Sequence, residues 1–154
     1  MNAFEVFKLP ISVEIDLVNL RKAYIQQQQN AHPDHGGDVL DSEQINKAYT
    51  ILKVRESRIK LILELNQIET NDSSTLPPGF LFEMMEISEM MEAEHHESIK
   101  AKIDELMQIS DAEFSEIASV FDHSEESIKK LAVWYQKNKY YNRLDKNSKG
   151  IQEI

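Results

Sequence analysis

The 154-residue sequence contains no cysteine. The chain itself therefore offers no disulfide, no thiolate metal ligand, no cysteine-ligated cluster and no cysteine nucleophile. No apolar run approaches the roughly 20 residues that span a bilayer. The first residues also lack the basic stretch followed by an apolar stretch that marks a signal peptide. These absences predict a cytoplasmic protein without a membrane partner.

Basic residues are in the minority. The sequence has 17 lysines and arginines against 27 aspartates and glutamates, which gives a formal net charge of −10. Because binding to nucleic acid requires clustered basic groups, this balance argues against a nucleic-acid partner. Residues 1–70 carry 8 basic and 10 acidic groups, whereas residues 71–154 carry 9 and 17. Most of the acidic excess therefore lies in the second half of the chain.

Glycine and proline are scarce, with four residues of each, and they are clustered. They stand at Pro10, Pro33, Gly36, Gly37, Pro77, Pro78, Gly79 and Gly150. Residues 38–76 and 80–149 contain neither. Since strands need frequent turn residues, such long stretches favour helices. The sequence predicts an all-α protein whose two halves are joined by a polar linker at residues 70–79, stiffened by Pro-Pro.

The first predicted unit spans residues 1–69. It starts with a short helix around Phe4–Leu9, and Asp16 caps a second helix. A third helix resumes near Leu40, and the second and third helices form a hairpin joined by His32–Asp38. The apolar residues at helical spacing are Leu17, Leu20, Ala23, Tyr24 and Ala31 in the second helix, and Ile45, Ala48, Tyr49, Leu52, Ile59, Ile62 and Leu63 in the third helix or a following one.

Residues 80–154 form the second predicted unit, a three-helix bundle. Its first helix spans residues 80–94. One helical register then continues across Ser110, which favours a single long helix, but Ser110-x-x-Glu113 also fits a capping box and leaves two helices as the alternative. Ser124, followed by two glutamates, starts the last helix. The apolar residues are Ile99, Ile103, Leu106, Phe114, Ile117 and Phe121 in the long helix, and Leu131, Trp134, Tyr135, Tyr141 and Leu144 in the last helix.

The predicted hairpin loop contains the tripeptide His32-Pro33-Asp34. Pro33 fixes its own φ, so its two neighbours are presented in a set geometry. Asp34 offers a carboxylate suited to an arginine on a partner, and His32 offers a planar donor and acceptor. The alternative is a tripeptide that merely ends a helix, in which case the chain is a plain helical adaptor.

The tripeptide and its surroundings resemble a J domain. The matching residues are Phe4, Phe7, Leu9, Pro10, Leu20, Tyr24, His32, Pro33, Asp34, Ile45, Asn46, Ala48, Tyr49 and Leu52. This resemblance implies a protein that is not itself an enzyme. It implies docking on a heat-shock ATPase chaperone of the HscA/DnaK class and stimulation of its ATP hydrolysis. It also implies a chaperone-binding site formed by His32, Pro33 and Asp34, with Arg21 and Lys22 on the second helix.

The second half is similar to the HscB-type co-chaperones of iron–sulfur cluster assembly. The similarity lies in the segment FLFEMMEI at residues 80–87, the preceding linker and the total length. It implies a second partner, an iron–sulfur scaffold protein of the IscU type, and a monomer without a cofactor or metal of its own. The scaffold-binding residues that it implies are Leu81, Phe82, Met85, Glu86, Glu89 and Tyr140.

A helical wheel supports a binding surface independently of the resemblance. At 100° per residue, the helix that begins at residue 80 has apolar residues on two opposite sides, although one apolar stripe is enough for a core. The first side holds Phe80, Met84, Ile87 and Met91, and the second holds Leu81, Phe82, Met85, Glu86, Glu89 and Glu92. Exposed apolar groups rimmed by charge indicate a protein-binding patch. The alternative is that Leu81 and Phe82 pack against the first unit and orient the two.

Two other functions fit parts of the sequence. Glu92-x-x-His95 has the ligand spacing of a di-iron carboxylate enzyme, but that architecture needs a second Glu-x-x-His and none occurs. We therefore expect no metal site. A general J-domain co-chaperone for unfolded clients is the nearer alternative, but the Gly/Phe-rich region and zinc module typical of that group are absent from the sequence.

Overall fold

The computed structural model describes residues 1–31, 40–93 and 96–152. Within these ranges the chain forms seven α-helices, one short 3-10 helix and no strand, which confirms the predicted all-α fold. The chain divides into two compact units, Met1–Leu65 and Asn66–Ile154. None of the helices in these ranges is long and apolar enough to cross a bilayer. The α-helices are α1 Ala3–Val6, α2 Leu17–Asn30, α3 Ser42–Lys53, α4 Arg55–Leu65, α5 Phe80–Glu92, α6 His96–Ser119 and α7 Glu125–Gln152.

Helix α1 is shorter than the sequence predicts. It begins with a capping box in which the Glu5 backbone N–H donates to the Asn2 side chain at 3.0 Å and the Asn2 N–H donates to the Glu5 carboxylate at 3.2 Å. It ends at Val6 rather than at Leu9, because Lys8 has a φ of +54°, in the left-handed region that helices cannot continue through. The prediction of a helix over Phe4–Leu9 is wrong in its C-terminal half.

Side-chain caps fix the starts of α2 and α3. The Asp16 carboxylate accepts from the backbone N–H groups of Val18 and Asn19 at 3.0 and 3.2 Å, as predicted. The Asp41 carboxylate accepts from the Gln44 N–H at 2.8 Å, so α3 begins at Ser42. These caps set where the two helices of the hairpin face each other.

The core of the first unit is formed by residues of α1, α2, α3 and α4. The Tyr24 ring of α2 stacks on Tyr49 of α3 with ring centroids 4.2 Å apart, and the Tyr24 hydroxyl donates to the Asn46 side chain at 2.6 Å. Leu17, predicted on the same apolar face, is instead 53% exposed. Leu17 is the first residue of α2, and its side chain stays exposed although Leu20, three residues further on, is buried. The fully buried residues include Phe4, Leu20, Ile45, Leu52, Ile59, Ile62 and Leu63.

A separate helix follows α3. Val54 adopts an extended conformation, with φ −104° and ψ 126°, and α4 begins at the next residue. Arg58 is buried in α4, where its Nε donates to the Val13 carbonyl at 3.0 Å and its Nη1 donates to the Leu52 carbonyl at 2.7 Å. Burial lowers the pKa of this guanidinium below its ordinary value. Arg58 therefore joins the chain before α2 to the end of α3.

Residues 70–79, predicted as a linker, are held within the second unit. The Gln136 side chain of α7 donates to the Thr70 carbonyl at 2.7 Å, and the Lys139 ammonium donates to the same oxygen. A 3-10 helix covers Ser73–Thr75. Gly79, with a φ of +84°, stands at the N-cap of α5, a backbone conformation that suits glycine. The domain boundaries 1–69, 70–79 and 80–154 stay predictions.

Helices α5, α6 and α7 share the core of the second unit. Helix α6 runs without a break through Ser110, as the single-helix interpretation predicts, but it ends at Ser119, before Phe121. The Ser124 hydroxyl accepts from the Ser127 N–H at 3.1 Å and starts α7, as predicted. The main core cluster is Phe80, Met84, Ile87, Met91, Ile99, Ile103, Leu106, Tyr141 and Leu144.

Candidate functional site

The chaperone-binding residues predicted on α2 lie on its exposed side. Arg21 and Lys22 are both exposed. Val18 and Ile25, one turn away on either side, are 65% and 44% exposed. The outer face of α2 therefore combines two cations with apolar groups, which suits a protein partner.

The glutamines that follow on α2 have a structural role. The Gln27 side chain donates to the Val6 carbonyl at 3.1 Å. The Gln28 side chain donates to Asn46 at 2.9 Å and to the Ser42 carbonyl at 3.2 Å. Polar hydrogen bonds thus tie α2 to the start of the chain and to α3, and they hold the two helices that flank the hairpin loop.

The predicted tripeptide His32, Pro33 and Asp34 lies outside the described residues. The described chain stops at Ala31, just after α2, and resumes at Leu40, just before α3. The role of the tripeptide therefore stays a prediction, while α2 before it and α3 after it in the sequence are described.

Helix α5 separates its two apolar sides as the wheel predicts. Phe80, Met84, Ile87 and Met91 are buried in the core at 4–7% exposure. On the opposite side, Leu81, Phe82 and Met85 are 42, 67 and 60% exposed. Glu86 and Glu89 are exposed beside them. We call the surface formed by Leu81, Phe82, Met85, Glu86 and Glu89 the α5 patch.

Tyr140 of α7 lies beside part of the α5 patch. Its ring meets the buried Phe80 ring edge-on, with centroids 5.7 Å apart. A groove of about 440 Å³ between α5 and α7 is lined by Leu81, Met85, Glu89 and Tyr140 from the predicted set. Phe82 and Glu86 do not line this groove. The structure therefore brings four predicted residues around one groove and places the other two on the exposed surface of α5.

Five residues that sequence reasoning did not assign to a site also line the groove, namely Met84, Ser88, Arg143, Leu144 and Asn147. The guanidinium carbon of Arg143 lies 5.4 Å from the centroid of the Tyr140 ring. Arg143 and Asn147 follow Tyr140 by three and seven residues, which places all three on one face of a helix. That spacing was the available signal in the sequence.

The groove is backed by a neutral phenol. Burial, and secondarily the carboxylates of Glu113 and Glu83, raise the pKa of Tyr141 to about 12. Tyr141 therefore contributes an uncharged ring to the core beneath the site, packed against Phe80 with centroids 5.7 Å apart.

The described part of the chain contains no group of three or more histidine or acidic side chains arranged to hold a metal ion. Glu92 is the last residue of α5, but His95, its partner in the predicted di-iron spacing, lies outside the described residues.

These features define a class: an all-helical protein that exposes apolar and charged side chains together on α2 and on α5. The solved structure of the chaperone HscB from Vibrio cholerae superposes on this chain with a TM-score of 0.72 and 26% identity, covering 99% of this chain and 98% of that one. The crystal structure of the human co-chaperone protein HscB gives a TM-score of 0.75 at 22% identity, covering 100% and 83%, and shows a shared fold.

The sequence relatives specify the family. A family model described as the HSCB C-terminal oligomerisation domain matches residues 76–149. A co-chaperone protein HscB homolog from Acinetobacter baylyi is 32% identical in an alignment of 150 positions that covers 94% of this chain and 86% of the relative. A homolog from Colwellia psychrerythraea is 30% identical over 132 residues, covering 78% and 75%. The chain belongs to the HscB co-chaperone family, as the sequence resemblance predicts.

Proposed function

We propose that this co-chaperone delivers an iron–sulfur scaffold protein of the IscU type to a dedicated heat-shock ATPase of the HscA/DnaK class and stimulates its ATP hydrolysis. The second unit holds the scaffold, and the hairpin of the first unit engages the ATPase. The observation that carries the proposal is the α5 patch, with large apolar side chains exposed on a helix whose other side fills the core.

The α5 patch has the chemistry of a protein-binding surface. Leu81, Phe82 and Met85 are exposed to solvent, although the same helix buries four other apolar side chains. An exposed Phe can fill a pocket on a partner, and a Met side chain can adapt its shape to the partner's surface. The nearby carboxylates of Glu86 and Glu89 favour a partner with basic groups around an apolar centre, and they speed its association.

The chaperone-binding side rests on the hairpin. Arg21 and Lys22 are exposed on α2 and offer cations to an acidic surface of the ATPase. His32, Pro33 and Asp34 follow α2 in the sequence. Because one chain carries both binding sites, scaffold bound to the α5 patch is held near the chaperone at raised effective concentration. Hydrolysis stimulated at that moment traps the scaffold and favours release of its cluster to acceptors.

We infer that one chain is the working unit, because both sites lie on the same polypeptide. The alternative is an oligomer, because the matching family model is described as an oligomerisation domain. Sedimentation velocity tests the inference: a single monomer boundary over the working concentration range supports it, and a concentration-dependent dimer contradicts it.

Calorimetric titration with a purified IscU-type scaffold tests the scaffold-binding site. Replacing Leu81, Phe82 and Met85 together by Ser removes the apolar centre of the α5 patch. Loss of two or more such exposed anchors at a protein interface lowers affinity by about 100-fold or more. Since these side chains are exposed, thermal unfolding of the triple variant should match that of the parent.

A matched control comes from the same unit. Ile109 and Val120 are 44% and 65% exposed on and beside α6, away from the groove lining. Replacing both by Ser changes exposed apolar surface without touching the α5 patch, so scaffold affinity should not change. Equal affinity of the triple variant and the parent would contradict the proposed site.

A further inference from the structure

The groove between α5 and α7 has walls of opposite charge. Among its lining residues the carboxylate is Glu89, on α5, and the cation is Arg143, on α7. Helix α5 itself contains no lysine or arginine between Phe80 and Glu92. A ligand lying in this groove therefore meets negative charge on one side and positive charge on the other.

Arg143 lines the groove, and no ion pair among the described residues neutralises its charge. Its guanidinium lies against the Tyr140 ring at 5.4 Å, and that ring in turn lies edge-on against the buried Phe80. A cation over an aromatic face is held by the ring quadrupole while its N–H donors stay free for another group. The ion pairs found among the described residues do not include Arg143, which is exposed.

The floor of the groove is apolar. Met84 and Leu144 are 5% and 4% exposed and close it from below, and Leu81 and Met85 contribute apolar flanks. A volume of about 440 Å³ accommodates one or two side chains of a partner. The apolar floor thus lies between Glu89 on the α5 side and Arg143 on the α7 side.

We propose that Arg143 is a specificity-determining residue: the groove takes a segment of the scaffold in which an apolar residue is flanked by a carboxylate, bound by Arg143, and by a basic group, bound by Glu89. This inference rests on the proposed function, and it adds that the partner's segment is bipolar and binds in one orientation. Arginine suits the role because its planar guanidinium can donate two parallel hydrogen bonds to one carboxylate.

Calorimetric titration of three single variants with the purified IscU-type scaffold tests this role. Arg143→Gln removes the cation and should weaken binding by about tenfold or more, the size expected for one charge-assisted contact at an interface. Arg143→Lys keeps the charge without the planar fork and should recover part of the loss. Lys146→Gln, one turn further along α7 and outside the groove lining, should bind as the parent does.

The salt dependence of scaffold affinity distinguishes an electrostatic role of Arg143 from a packing role, because a packing role would leave that dependence unchanged. If Arg143 binds a carboxylate, the affinity of Arg143→Gln should fall less steeply with added salt than that of the parent. Unchanged affinity of Arg143→Gln, or an equal loss in Lys146→Gln, would overturn the proposal. So would dissociation of a dimer of this chain by Arg143→Gln in sedimentation velocity, because the occupant would then be a second copy.

The result also separates this inference from the proposed function. If replacing Leu81, Phe82 and Met85 by Ser abolishes scaffold binding while Arg143→Gln has no effect, the role of Arg143 fails and the scaffold site stands. If the triple variant binds normally, the scaffold site itself fails.

Discussion

The Ser110 hydroxyl donates a hydrogen bond of 2.8 Å to the Oδ1 atom of Asn138, and both side chains are 1% exposed. Ser110 lies in the middle of α6 and Asn138 in α7. One turn away, the Trp134 indole N–H donates to the Ser110 carbonyl at 2.9 Å. These two hydrogen bonds fix the position of α7 along the axis of α6. They therefore also fix where Tyr140 and Arg143, further along α7, lie along the axis of α5.

Asn138→Leu should destabilise the second unit by about 1–3 kcal/mol, because the buried Ser110 hydroxyl loses its acceptor. The loss should appear as a lower urea midpoint in unfolding followed by circular dichroism. Gln108→Leu is the control, since Gln108 is exposed on α6. If Asn138→Leu unfolds at the same urea concentration as the parent, the bond contributes nothing to stability.

The same pair shows what the sequence could predict about α6. The Ser110-x-x-Glu113 pattern fits a capping box, and the continuous apolar register fits a single helix. The structure has the single helix, in which the Ser110 hydroxyl donates to Asn138, 28 residues away. A partner so distant in sequence cannot be read from local spacing, whereas the register can.

Arg58→Met should destabilise the first unit. The buried guanidinium donates to the carbonyls of Val13 and Leu52, and a methionine leaves both acceptors unpaired. Loss of two buried hydrogen bonds from a charged donor costs about 2–5 kcal/mol. Thermal unfolding measures the loss.

Lys60→Met is the matched control for Arg58→Met. Lys60 is half exposed on α4 and makes an i,i+4 pair with Glu64 at 3.9 Å. Such exposed pairs are worth no more than about 1 kcal/mol. Equal shifts in melting temperature for the two variants would show that the buried bonds of Arg58 do not stabilise the unit.

Alkaline pH should weaken the second unit through Tyr141. Its pKa is raised to about 12 in the folded protein, from an ordinary value of 10.0. The folded state therefore retains the phenolic proton where the unfolded chain has lost it, so stability is intact below about pH 10 and falls as the pH rises toward 12. Urea unfolding at about pH 9 and about pH 11.5 should show a smaller loss for Tyr141→Phe than for the parent. An equal loss in both would contradict this origin.

The α5 side of the candidate site was predictable from the helical period, whereas on α7 only Tyr140 was predicted, from the family resemblance. The wheel of α5 separated buried Phe80 and Met84 from exposed Phe82 and Met85, because burial follows the helical period within one element. The sequence did not predict Arg143 as a site residue, because its place in the groove depends on α7 lying beside α5. That placement depends on tertiary contacts such as Phe80 with Tyr140. The prediction that Leu17 is a core residue is wrong. Its residue type fits a core, but no neighbour covers its side chain.

Stimulation of the heat-shock ATPase tests the central claim most directly. Steady-state ATP hydrolysis by the purified chaperone is measured with scaffold present, after addition of the parent chain, Asp34→Asn or Asp104→Asn. Asp104 is exposed on α6 and serves as a charge-matched control. We predict that the parent and Asp104→Asn stimulate hydrolysis equally and that Asp34→Asn gives no more than the rate without co-chaperone. Full stimulation by Asp34→Asn would contradict the account.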